Sequence, residues 1–181
     1  MITKETKLKG CVVIEPTIFQ DNRGYFFESF NQKKFNELVN QEVCFIQDNE
    51  SFSSKGVLRG LHYQIGKYSQ AKLVRVIHGE VLDVAVDIRK GSSTFGQHIA
   101  IKLSGKNKKQ LFIPRGFAHG FLVLSNTATF SYKCDNLYNK SAEGGIIYND
   151  DQLKIDWGIY SNQLMISDKD LILPTLKNAK F

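Results

Sequence analysis

Two histidines in apolar, strand-like runs carry the first chemical signal in the chain. His62 lies in Arg59-Gly60-Leu61-His62-Tyr63-Gln64, and His119 in Phe112-Ile113-Pro114-Arg115-Gly116-Phe117-Ala118-His119-Gly120-Phe121. Imidazole is the side chain suited to moving a proton near neutral pH, and it is also a common metal ligand. Here His62 is followed by Tyr63 and Gln64. Two separated histidines without a carboxylate at ligand spacing make a poor zinc or iron site, so no metal is expected. The pattern favours acid–base chemistry by a free imidazole. A lone histidine in a strand is as readily a hydrogen-bonded core residue, so its company decides. Arg59, Gln64 and Lys72 are polar groups that antiparallel pairing would bring onto one inward surface. Several buried polar groups together are unfavourable unless they line a wet pocket.

Other polar clusters punctuate the chain. Asp21-Asn22-Arg23-Gly24-Tyr25-Phe26-Phe27-Glu28 reads as a polar turn feeding an aromatic strand, and Gln47-Asp48-Asn49 forms a second cluster. Arg23 and Arg59 have the planar fork that clamps phosphate, although a surface ion pair is the simpler fate of either one. Tyr132 and Tyr138 fit a half-buried pleat as packing residues before any chemical role is assigned.

The elements that must position these groups are mostly strands. Lys72 to Ile77 and Val81 to Ile88 flank His78-Gly79-Glu80, which reads as a tight hairpin turn. Asp83, Ala85 and Asp87 fall on one face of the second strand. Gln97 to Leu103, Gln110 to Ile113, Gly120 to Leu124 and Thr127 to Cys134 are further strands, while only Gln32 to Asn40 and the segment near Ser161 look helical. Many short strands with turn signals predict an all-β barrel or sandwich, closed as a jelly roll that covers its strand edges. The Pro-x-Gly-x-x-His turn at Pro114 to His119 is one found in cupin barrels.

Size and composition agree with one domain over 1–181, large enough to bury a core without staples. Met1 to Thr6 has no apolar leader, and no apolar run reaches the roughly 20 residues of a membrane span. Cys11, Cys44 and Cys134 match no disulfide framework or metal knuckle and read as small buried thiols of a cytoplasmic protein. The net charge of +6 lacks a nucleic-acid module or interleaved aromatics. Lys102 to Lys109 looks like a solvated hairpin tip, and the modest positive field suits a small anionic substrate.

Taken together, Asp21 to Phe26, Gln47 to Asn49, Val57 to Gln64, Asp83 to Arg89, Ile113 to Phe121 and Ser167 to Asp170 make the chain resemble the dTDP-4-dehydrorhamnose 3,5-epimerases, in family order through nearly its whole length. The resemblance implies a jelly-roll cupin homodimer that acts on a nucleotide-diphosphate 4-keto sugar without metal or other cofactor. It implies His62 as the proton-abstracting base, Asp170 as its carboxylate partner, Lys72 as the enolate stabiliser and Tyr132 as the opposing acid. Arg23, Glu28, Gln47, Asp48, Asn49, Arg59, His119, Glu143 and Lys169 match substrate-binding positions, and Tyr138 an aromatic stacking on the base. Departures are Arg115 inside the turn, Ala71 before Lys72, Tyr148 and Phe112 for tryptophans, and Trp157-Gly158 without the usual proline. None removes a catalytic group. They leave open the sugar and the nucleotide, with a GDP-linked 4-keto-heptose as the alternative, and the family also includes relatives that invert one carbon only. The competing readings are a nucleotide-sugar ketoisomerase, a metal-dependent cupin, which would need further ligands, and a non-catalytic sugar-nucleotide-binding cupin, which would need a broken His62, Asp170 and Tyr132 set.

Overall fold

The computed structural model describes residues 1–181. In chain order the strands are β1 (Ile2–Glu5), β2 (Val12–Glu15), β3 (Phe19–Asp21), β4 (Gly24–Phe26), β5 (Gln47–Ser54), β6 (Leu58–Gln64), β7 (Lys72–His78), β8 (Glu80–Asp87), β9 (His98–Ser104), β10 (Gln110–Ile113), β11 (Phe117–Val123), β12 (Thr127–Cys134) and β13 (Glu143–Gly145). Helix α1 spans Gln32–Val39 and α2 spans Asp168–Leu171. The strands form a six-stranded sheet, β1-β2-β10-β7-β12-β5, and a five-stranded sheet, β13-β6-β11-β8-β9. All named strand pairings are antiparallel. This is the expected all-β jelly roll.

Alternation along each strand builds three apolar layers. Val74, Val76 and Phe130 from one sheet meet Val81, Ala85 and Phe121 from the other in the central core. On the far side of β8 and β11, Val84, Val86 and Leu122 pack against Ile146, Leu153 and Trp157 from the C-terminal segment. That second cover explains why β8 is buried on both faces, including Asp83 and Asp87. Outside the six-stranded sheet, Phe35 of α1 lies on Val12, Ile14, Leu73 and Phe112. Helix α1 starts where the Asn31 side chain accepts from the Lys34 N–H at 3.1 Å, and it ends at Asn40 in the left-handed region.

Three local expectations are corrected. His78-Gly79-Glu80 is no hairpin, because β7 and β8 belong to different sheets and the turn carries the chain between them. Gly79 has φ +83°, and a Cβ there would sit 2.1 Å from the Thr127 carbonyl oxygen, so the corner requires glycine. The lysine-rich segment after β9 likewise crosses between sheets. Lys108 reaches the Tyr25 hydroxyl and Lys109 the Glu15 carboxylate, so neither is idle in solvent. Cys11 and Cys134 are buried thiols, but Cys44 is exposed.

The pair β3–β4 stands apart as a two-stranded arm. It leaves Phe19 and Phe26 exposed by 62% and 70%. No helix in the chain is long and apolar enough to cross a membrane.

Candidate active site

A cleft of about 830 Å³ opens between the two sheets, within the range of small-molecule sites. From the five-stranded sheet come two imidazoles on adjacent strands, His62 on β6 and His119 on β11, which are register partners. Their close approach depends on Gly60, where a Cβ would lie 2.7 Å from Gly120 Cα. Each imidazole is backed by a buried carboxylate. His62 Nε2 lies 2.7 Å from Asp170 Oδ1, and His119 Nε2 lies 2.9 Å from Asp83 Oδ2.

Asp170 sits in α2, whose N-terminus is capped by the Ser167 hydroxyl. Burial raises its carboxyl pKa. The hydrogen bond and charge of His62, with the Gly60 N–H donating to Oδ2 at 3.2 Å, outweigh that and hold it below the ordinary carboxylate value. Asp83 is fully buried and its Oδ1 has no partner.

The six-stranded sheet supplies the opposite wall with Lys72 from β7, Tyr132 from β12, and Asn49 and Ser51 from β5. Lys72 Nζ stands 5.7 Å from the Tyr132 ring centroid. Burial pulls the Lys72 ammonium below its usual value and pushes the Tyr132 phenol above its own. A proton acceptor braced by a carboxylate therefore faces a phenol and an ammonium across one cavity, an arrangement suited to taking a proton from one side of a substrate and returning one to the other.

Arg59, Lys169 and the catalytic candidates all line this cleft. Arg59 Nε donates to Ser53 Oγ at 3.1 Å. Gln47, Tyr138 and Glu143 form a connected rim beside it. The Tyr138 N–H donates to Gln47 Oε1 at 3.0 Å, the Tyr138 hydroxyl to Glu143 Oε2 at 3.0 Å, and Lys169 Nζ to Glu143 Oε1. Burial alone would raise the Glu143 carboxyl, but those two donors hold it below its ordinary value.

Other expected residues lie elsewhere. Asp48 points from the opposite face of β5 and pairs with Lys133 at 2.9 Å. Arg23 sits on the exposed arm and pairs with Asp21, and Glu28 pairs with Lys34 at the foot of α1. Gln64 does not join the inward surface. It is buried, with its amide donating to the Tyr68 and Leu137 carbonyls and accepting from the Asn139 N–H, and so it anchors the loop bearing Tyr138. The catalytic reading of the sequence passed over Asp83, Ser51, Ser53 and Ser167. Asp83 left a signal as a carboxylate in a strand otherwise largely apolar on both faces, whereas Asp87 is accounted for by two guanidinium bonds and one backbone bond from Arg89 and by the Ser92 and Thr94 hydroxyls.

No group of three or more His, Cys, Asp or Glu side chains converges as a metal site. The departures from the family pattern are absorbed away from the cleft. Arg115 pairs with Asp135 at 2.8 Å, Phe112 packs beneath α1, and Tyr148 accepts a bond at its carbonyl from Trp157 Nε1.

Comparison with known proteins identifies the family of the chain. Residues 5–178 match the family model described as dTDP-4-dehydrorhamnose 3,5-epimerase. A Shigella flexneri protein of that name is 53% identical over 167 residues, covering 92% of this chain and 91% of its own. The crystal structure of an Elizabethkingia anophelis dTDP-4-dehydrorhamnose 3,5-epimerase superposes with a TM-score of 0.94 at 55% identity, over 97% of this chain and 96% of that one. A Legionella pneumophila dTDP-6-deoxy-D-glucose-3,5-epimerase, solved with dTDP-4-keto-L-rhamnose, also gives 0.94, at 50% identity over 97% and 93% of the two chains. The match runs through both walls of the cleft and the segment bearing Asp170, so this chain belongs to the dTDP-4-dehydrorhamnose 3,5-epimerase family and is an isomerase of the carbohydrate-epimerase type.

Proposed function

We propose that the protein inverts C3 and C5 of dTDP-4-dehydro-6-deoxyglucose through an enolate, for surface-polysaccharide synthesis in the cytoplasm. The ketone at C4 acidifies the hydrogens on both neighbouring carbons. The substrate's own carbonyl thus takes up the charge that a cofactor would otherwise accept. His62 removes the proton, with Asp170 fixing the imidazole and stabilising its charged form. Lys72 stabilises negative charge developing on the carbonyl oxygen, and Tyr132 delivers a proton to the other face. The observation that carries this reading is the placement of His62 and Tyr132 on opposite sheets of one cleft. The keto sugar bound to the Legionella relative supports a dTDP-linked substrate.

Arg59 and Lys169 hold the diphosphate at the open side, and Gln47, Asn49, Tyr138 and Glu143 meet the nucleoside. Arg23 and Glu28 lie outside this cleft, on and beside an arm with exposed aromatics. The chain therefore acts as one domain within a homodimer, in which the arm of a second copy completes each site. Apolar surface of this kind marks an interaction site.

The test is incubation with dTDP-4-dehydro-6-deoxyglucose in heavy water, followed by NMR of the sugar. Deuterium at C3 and C5 with inversion at both is expected. Inversion at one carbon alone, or no exchange while a GDP-linked 4-keto-heptose is turned over, would overturn the assignment.

A further inference from the structure

Only two buried side-chain polar atoms in the whole chain lack a hydrogen-bond partner, Ser51 Oγ and Asp83 Oδ1. Both belong to the cleft: Ser51 lines it directly, and Asp83 braces the lining residue His119. Buried polar atoms are nearly always paired, and an orphan calls for an explanation. The fold offers none for Ser51. Inward positions on β5 recur at Gln47, Asn49, Ser51 and Ser53. Gln47 Nε2 bonds Asn49 Oδ1 at 3.1 Å, and Ser53 Oγ accepts from Arg59. Ser51 alone in this row has no partner. Its cross-strand neighbour is Phe130, stacked on Phe121 at 4.1 Å between centroids, and neither ring has a conventional hydrogen-bonding group to offer.

We propose that Ser51 is a further specificity-determining residue, whose hydroxyl, screened in the free protein, turns about χ1 into the cleft that the residue lines and donates a hydrogen bond to a hydroxyl or carbonyl oxygen on the sugar of the bound nucleotide sugar. Depth assigns the sugar rather than the diphosphate. The cations suited to phosphate, Arg59 and Lys169, are exposed at the open side, whereas Ser51 Oγ is screened from solvent. Beside it stand the aromatic pair and, diagonally across the strands, Tyr132. A hexose presents both an apolar face and ring oxygens, which matches this mixed wall. The inference rests on the nucleotide-sugar reading above.

An orphan hydroxyl in the free protein and a paired one in the complex leave a signature that a structural serine would not. Ser51→Ala should raise KM for dTDP-4-dehydro-6-deoxyglucose by about 2- to 10-fold, the range for one neutral hydrogen bond. Its affinity for dTDP, measured by calorimetry, should match the parent. The ligand-free variant should melt at the same temperature as the parent or higher, because an unpaired polar group has been removed. An unchanged KM, an equal loss of dTDP affinity or a lower ligand-free melting temperature would each overturn the assignment. Running the parent alongside keeps the two readings apart: a parent without turnover strikes the reaction, while an active parent matched by Ser51→Ala in KM strikes Ser51 alone.

Discussion

The two walls of the cleft solve the problem of buried polar groups in opposite ways. On the five-stranded side each imidazole is tied to a carboxylate, His62 to Asp170 and His119 to Asp83. On the six-stranded side Lys72 and Tyr132 are half-buried with no such brace, and desolvation is the leading cause of the shift of each group. A braced imidazole has a fixed orientation, which a base needs. An ammonium and a phenol with spare donors are ready for negative charge that exists only during reaction. In the proposed mechanism this difference gives proton removal to one sheet and charge stabilisation with proton return to the other.

Deleting the proposed base should break the comparison most severely. His62→Ala is expected to lose about 10² to 10⁴ in rate, the usual contribution of a positioned base. It should lose heavy-water exchange and inversion together. Tyr132→Phe should part them, because the enolate forms and His62 can return the proton to its original face. That variant should wash deuterium into the sugar while producing little inverted product. Inversion at the parental rate in Tyr132→Phe would remove the phenol from the mechanism, and equal loss of exchange and inversion would reduce it to a positioning group.

The brace itself gives a smaller effect with a pH signature. Asp170→Asn keeps the shape but loses the charge, and it should lower activity less than His62→Ala. The native carboxyl lies below its ordinary value. Its contribution to stability is therefore fully present above the unfolded value near pH 4 and is lost as pH falls through the lower folded value. The gap in melting temperature between parent and variant should be widest near neutrality and should narrow below about pH 4. A gap independent of pH would mean that the carboxylate's charge is not what stabilises the fold.

Which parts of this were legible in the sequence follows from where apolar alternation survives. β10 and β12 match their expected bounds, since their apolar runs face packed cores. β5 was visible only as a polar cluster because its inward row, Gln47-Asn49-Ser51-Ser53, is polar throughout, with Asn49 and Ser51 lining the cleft rather than a core. The corners after β7 and β9 carry the same local signals as hairpins, and only non-local pairing decides which sheet the next strand joins. Asp170 lies 108 residues from His62 on a four-residue helix. No spacing rule could have joined them, and the pairing entered through family resemblance.

The smallest expected effect tests the two faces of β5. Asp48 and Asn49 are adjacent in sequence and both match substrate-binding positions, yet a strand sends successive side chains to opposite sides. Asn49 lines the cleft opposite Tyr132 in register, while Asp48 is exposed and paired with Lys133 on the outer face. Exposed pairs contribute at most about 1 kcal/mol. Asp48→Ala should therefore change melting temperature slightly and leave kcat and KM at parental values, whereas Asn49→Ala should raise KM. Matching losses in the two variants would mean that the outer face of β5 also meets substrate, and the division of labour between inward and outward residues would fail there. A silent Asp48→Ala beside an impaired Asn49→Ala would confine recognition on this strand to its inward row, the same row that places Ser51 against the sugar.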